Sequence, residues 1–171
     1  TAKASKSYLP ANNEKLRPRT IASVAQTKVE RLATGIREFD RVLGGGVVPG
    51  SLVLLGGTPG IGKSTILLDA GLRFGQQGIK VLYVSGEESE EQTAMRAVRL
   101  GGAQANDNLL ILTATDLDAI LAQANALKPQ LLIIDSIQTM YNQELQTAAG
   151  SVGQVRECTA KLLQFAKSTG I

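Results

Sequence analysis

Gly57-Thr58-Pro59-Gly60-Ile61-Gly62-Lys63-Ser64 matches the pattern G-x-x-x-x-G-K-[ST] at every fixed position. Before it, residues 51–56 (S-L-V-L-L-G) form a short apolar run that predicts a buried strand, bounded by Pro49-Gly50 and Gly57. After it, Ile66, Leu67, Ala70 and Phe74 recur at helical spacing, which predicts a helix over residues 63–77 with Gly78 just past its end. Strand, glycine loop and helix in that order are the setting in which such a loop grips phosphate. Glycines let the backbone turn tightly enough for successive N–H groups to point inward, and the helix mouth adds partial positive charge. Lys63 then reaches the β and γ phosphates of ATP, the Ser64 hydroxyl binds Mg²⁺, and Thr65 lies beside the nucleotide. In a chain of this composition the pattern arises by accident about once in a hundred, before its flanking elements are demanded.

Outward from the loop, apolar runs and helical patterns keep alternating. Residues 79–85 predict a second strand, and Ser89 caps a helix to about Leu100, closed by Gly101-Gly102. Residues 109–112 predict a third strand, and Thr115 or Asp116 opens a helix that stops before Pro129. Residues 131–135 (L-L-I-I-D) predict a fully apolar strand ending in an acid, followed by a polar loop over 136–150 and an amphipathic helix over 151–168. Four strands alternating with four helices predict an α/β fold, a mostly parallel sheet flanked by helices on both faces, with ligands beyond the carboxyl ends of its strands. Gly44-Gly45-Gly46 reads as a turn leading into the first strand.

The 171 residues are 43% hydrophobic and 19% charged, which suffices for one domain with a core and excludes a disordered chain. The longest apolar runs are far too short to cross a bilayer, so no membrane association is expected. One cysteine, Cys158, excludes an internal disulfide and a multi-cysteine zinc site, and makes the cytoplasm the expected location. Histidine is absent, so imidazole bases and histidine-ligated metals are excluded, and the chemistry falls to carboxylates, hydroxyls, lysine, arginine and backbone. Charge is uneven: residues 1–31 carry a net +5 and the remainder a net −2. That basic head, with two of the five prolines and little periodicity, predicts a flexible linker that either touches nucleic acid or is simply solvated. Residues 32–171 are the predicted folded body. A chain beginning at Thr1 is expected to be a piece or trimmed product of a longer protein.

Asp135, at the end of its apolar strand, sits where a carboxylate holds Mg²⁺ beside Ser64. An acid ending a buried strand is more often a helix cap, and gains weight here from the phosphate loop upstream. Glu87-Glu88 follow the neighbouring strand after Gly86, at the same edge of a parallel sheet, so that either can polarise a water attacking the γ-phosphate. The alternative is an acidic first turn complementing the helix dipole, continued by Glu90 and Glu91. Position alone does not choose between Glu87 and Glu88. Ser136 and Gln138 can sense the γ-phosphate or merely form the turn, and Arg96 and Arg99 share a helical face, either trans-acting or solvated. Arg156, Lys161 and Lys167 read as solvated surface. Tyr83, Phe74 and Phe165 fall at core spacing.

Taken together, several segments resemble the bacterial RadA (Sms) family of DNA repair proteins. They are L-A-T-G-I-R-E-F-D-R-V-L-G-G-G-V-V-P-G-S over residues 32–51, the phosphate loop, Ser85-Gly86-Glu87-Glu88-Ser89, Ala94-Met95-Arg96-Ala97, Asp135-Ser136-Ile137-Gln138 and G-S-V-G-Q-V-R-E over 150–157. The resemblance implies a RecA-like P-loop NTPase core, cytoplasmic, working as a homo-hexameric ring. It further implies an ATP-driven motor on single-stranded or branched DNA that promotes branch migration in recombinational repair, alongside a RecA-type recombinase. By the same likeness Lys63 and Ser64 bind nucleotide and metal, Asp135 holds Mg²⁺, Glu87 or Glu88 activates water, and the loop after Asp135 faces a DNA channel. The family's zinc belongs to a four-cysteine finger, and neither that finger nor its Lys-Asn-Arg-Phe-Gly motif occurs in these residues, so the core is expected to be truncated at its C-terminal end. A nucleotide-gated assembly scaffold with weak hydrolysis is the main alternative. A small-molecule kinase is a third, against which stands the lack of an arginine-rich lid.

Overall fold

Six helices and three strands form over the residues that the computed structural model describes, 18–25, 30–102 and 107–171. In chain order the helices are α1 (Ile21–Ala25), α2 (Arg37–Val42), α3 (Lys63–Gln76), α4 (Glu90–Ala97), α5 (Leu117–Leu127) and α6 (Val152–Thr169). The strands are β1 (Val81–Ser85), β2 (Leu109–Thr113) and β3 (Leu131–Asp135). All strands are parallel in the order β2-β1-β3, and Ser85 stands opposite both Thr113 and Asp135. Every residue of the central strand β1 is buried, which is why its sequence is a continuous apolar run rather than an alternating one.

Successive strand residues face opposite sides of the sheet. Val81, Tyr83 and Ile133 pack with Leu68, Leu72, Phe74 and Ala97 of α3 and α4. Leu82 and Val84 pack on the other side with Leu117, Ile120 and Ala124 of α5 and Cys158 and Leu162 of α6. The expected α/β layering, helices on both faces of a parallel sheet, is therefore present. Burying each such leucine or phenylalanine stabilises the fold by about 1.5–3 kcal/mol. The helices start where their caps dictate: Ser89 and Gln92 form a reciprocal capping box on α4, Asp116 accepts from the Asp118 N–H, and Ser151 accepts from the Gln154 N–H. Lys128, with a left-handed φ of 50°, ends α5 ahead of Pro129.

Two expectations need correction. Residues 51–56 join no strand, so the described sheet has three strands rather than four. A strand exists by its ladder, and β3 pairs only with β1 among the described residues. A cleft of about 550 Å³, whose lining includes Pro49 and Lys128 to Gln130, lies near the start of the run. Leu52 still packs toward α5 and α6, while Leu54 is 73% exposed. The helix expected to reach Leu100 ends at Ala97 and passes into a wider turn over Val98–Gly102. The polar loop over 136–150 contains one 3-10 turn, Ile137–Thr139, and a bridge that joins Tyr141 to Asp116 beyond the end of β2. The expected basic linker falls largely on residues 1–17 and 26–29, outside the described residues. Among the described residues, no helix is long and apolar enough to cross a membrane.

Ahead of the phosphate loop, residues 32–47 fold on themselves, with Leu32 bridged to Val47. Asp40 accepts from the Thr34 N–H at 2.7 Å, the Thr34 hydroxyl at 2.8 Å and the Gly35 N–H at 2.9 Å. Burial works against the Asp40 carboxylate, but these three donors outweigh it and hold its pKa below the ordinary value. A carboxyl whose pKa is lowered by folding stabilises the fold above its unfolded pKa, and that contribution is lost as pH falls through the folded value. Asp40→Asn is therefore expected to lower Tm at pH 7 by roughly 2–4 °C, the response to about 1 kcal/mol in a domain of this size. The gap from the wild type should narrow as the pH is lowered through the acid range, as read by thermal denaturation.

Candidate nucleotide-binding site

The phosphate loop runs from Gly57 into the first turn of α3, with Gly60 and Gly62 at φ of 79° and 101°. Those left-handed angles favour glycine and turn the backbone so that the helix N–H groups open toward solvent. Residues 57–62 and Thr65 are exposed, while Lys63 and Ser64 are half-buried. Lys63 folds back over the loop, its ammonium donating to the carbonyls of Gly57 at 2.8 Å and Thr58 at 2.9 Å.

Asp135 meets this loop across 71 positions of sequence. The Ser64 hydroxyl donates to its Oδ1 at 3.0 Å. On the other carboxylate oxygen, the Tyr83 hydroxyl donates to Oδ2 at 2.5 Å. The register explains both contacts: Asp135 is opposite Ser85, and Tyr83, two residues earlier, lies on the same α3-covered face. Burial, and then the adjacent Asp135, push the Tyr83 phenol far above its ordinary pKa. A hydroxyl and a carboxylate in contact, at the edge of a solvent-open loop, are the hard oxygen donors that Mg²⁺ takes while keeping part of its water shell. Ser64 and Asp135 fit that ion.

The glutamates, equivalent in sequence, part company in space. Glu88 is ion-paired with Arg96 of α4, so this arginine is neither free nor simply solvated. Glu87 is exposed and accepts from the Ser136 hydroxyl at 3.4 Å, which turns it toward the end of β3. Between them and β1, Gly86 is crossed by the chain returning from β3: a Cβ there would collide with the Thr139 hydroxyl and come within 2.7 Å of the Thr139 Cβ. Gln138 is exposed beside this crossing, and Arg99 is exposed beyond α4.

Two buried residues with polar contacts were not marked as functional in the sequence. Tyr83 reads as core, and it is buried, but its hydroxyl reaches the site; only strand register carries that signal. Gln154, 1% exposed in α6, accepts from the Asn142 N–H at 2.8 Å and lies within hydrogen-bonding range of the carbonyls of Asn142, Leu145 and Thr147. It ties the polar loop to α6. A buried polar residue on an otherwise apolar helix face was the available clue.

The chain matches the AAA domain family over residues 17–171. It is 48% identical to the DNA repair protein RadA of Halalkalibacterium halodurans over 170 residues, covering 99% of this chain and 37% of that protein. It is 50% identical to the RadA of Escherichia coli over 151 residues, 88% of this chain and 32% of that one. The corresponding figures for the RadA of Bacillus subtilis are 48% over 155 residues, 91% and 33%. The chain thus spans about a third of the length of the curated relatives it matches.

Gly86→Ala is expected to cost about 1–3 kcal/mol, because Thr139 and the strand end must move apart to admit the methyl group. Chemical denaturation at neutral pH would register it as a lower midpoint with an unchanged slope.

Proposed function

The chain belongs to the AAA domain family, and on that premise we propose that it is the ATP-binding and ATP-hydrolysing core of a DNA repair motor. The observation that carries this reading is the contact between Ser64 and Asp135, which brings the start of the phosphate-loop helix and the end of an apolar strand to one point. The relatives' name, DNA repair protein RadA, supports the DNA side of the reading. A net +5 over residues 1–31 supports it further, since basic segments are drawn to phosphate backbones.

In the proposed cycle the triphosphate of ATP lies against the N–H groups of residues 57–65, Pro59 excepted, at the mouth of α3. Lys63 exchanges its two backbone carbonyls for phosphate oxygens, trading neutral acceptors for charged ones with stronger hydrogen bonds. Ser64 and Asp135 would hold Mg²⁺, which would supply positive charge to the phosphate oxygens. Glu87 orients the attacking water. It is preferred to Glu88 because the Glu88 carboxylate is already engaged by Arg96 and its hydrogen-bonding capacity is partly spent. Single-stranded or branched DNA is the proposed polymer, branch migration the proposed work, and a RecA-type recombinase the proposed companion. A cytoplasmic homo-hexamer is the proposed working form.

In the natural full-length protein, Lys63→Ala should weaken ATP affinity by roughly 10–100-fold, the worth of a charge-assisted hydrogen bond to phosphate, and abolish DNA-stimulated hydrolysis. ATP turnover indifferent to DNA would refute the motor. Glu87→Gln should retain ATP binding and lower turnover by at least about 100-fold, with Glu88→Gln affecting turnover far less. Steady-state hydrolysis beside equilibrium nucleotide binding separates the two. Unaltered turnover in both variants, with ATP-dependent assembly intact, would favour the scaffold instead.

A further inference from the structure

Tyr83 is 1% exposed at the centre of β1, where phenylalanine would fill the same space. Its ring belongs to the α3-side core with Leu68, Phe74 and Ile133. The hydroxyl, though, leaves that core along the strand direction and ends 2.5 Å from Asp135 Oδ2. The second torsion of an aspartate side chain is soft and broadly distributed, so a carboxylate at a strand end does not by itself keep one oxygen aimed at a fixed point. Here the aim is fixed twice, by Tyr83 on Oδ2 and by Ser64 on Oδ1. The two donors differ in kind. Ser64 stands in the phosphate loop, where a metal would compete for its oxygen, whereas Tyr83 is enclosed in the sheet.

We propose that Tyr83 is a positioning residue for the metal-binding carboxylate, its hydroxyl holding Asp135 Oδ2 so that Oδ1 stays presented to Ser64 and to Mg²⁺. This rests on the reading of Ser64 and Asp135 as the Mg²⁺ site. It assigns the orientation of that site to a core residue that never touches nucleotide. Tyr83 acts through Asp135 alone, so removing its hydroxyl changes the response to metal and leaves the phosphate cradle of residues 57–65 intact.

The test is a fluorescent-ATP titration of the full-length protein at graded Mg²⁺ and in EDTA, for wild type, Tyr83→Phe, Asp135→Asn and the double variant. Tyr83→Phe should raise the half-saturating Mg²⁺ concentration about tenfold, within the range for a lost hydrogen bond to a charged group, while ATP affinity in EDTA stays near wild type. In the double variant, Tyr83→Phe should add no further loss to that of Asp135→Asn, since both act on one carboxylate. An unchanged Mg²⁺ midpoint in Tyr83→Phe overturns the proposal. So does a parallel loss of affinity with and without Mg²⁺, which would mark a packing role. A wild type without Mg²⁺-dependent ATP affinity overturns the metal-site reading itself, and is distinguished because it fails before any variant is compared.

Discussion

A single carboxylate joins the parts of this molecule that matter for its chemistry. Asp135 ends β3, receives a hydroxyl from the first turn of α3 and another from the middle of β1, and thereby links the phosphate loop to the sheet. A half-buried acid is costly to leave without partners, and each oxygen here has a donor. Those donors come from two elements whose relative position is set by the packing of Leu68, Leu72 and Phe74 on Val81, Tyr83 and Ile133. The core therefore does more than stabilise the domain. It sets where Ser64 stands relative to Asp135.

How far this was visible in the order of residues depends on whether a feature is local. The phosphate loop was legible because its residue types follow from the backbone it needs, and Gly60 and Gly62 do adopt left-handed angles. The caps at Ser89, Asp116 and Ser151 were legible for the same reason, and β1, β2 and β3 announced themselves as apolar runs. The run over 51–56 carries an equally clear pattern and yet forms no strand. An apolar run states what a segment suits; its state depends on a partner edge, and among the described residues none is bonded to it.

Pair contacts across the sheet were the least legible part. Tyr83 and Asp135 are 52 positions apart, and only the register that puts Ser85 opposite Asp135 makes them diagonal neighbours. A shift of one residue would have sent Tyr83 to the α5 and α6 face. Gln154 is similar: its helical position was plain, but its amide bonds to the loop depend on how residues 142–147 curl back over α6. Side chains of this kind read as packing until the third dimension supplies their partners.

Glu87 and Glu88 show how strongly environment divides chemically identical neighbours. Consecutive residues leaving a strand diverge, so one carboxylate swings toward α4 and the other toward β3. Arg96 then neutralises Glu88 within the same chain, while Glu87 keeps only a long contact with Ser136. A carboxylate already engaged by a guanidinium has less hydrogen-bonding capacity left to orient a water. The less encumbered acid retains that capacity. Proximity to the sheet's carboxyl edge is common to both residues. What separates them is an arginine eight positions further on, two turns into a helix whose start is set by the Ser89 capping box. The different surroundings of the two glutamates thus depend on a helix cap that touches neither carboxylate.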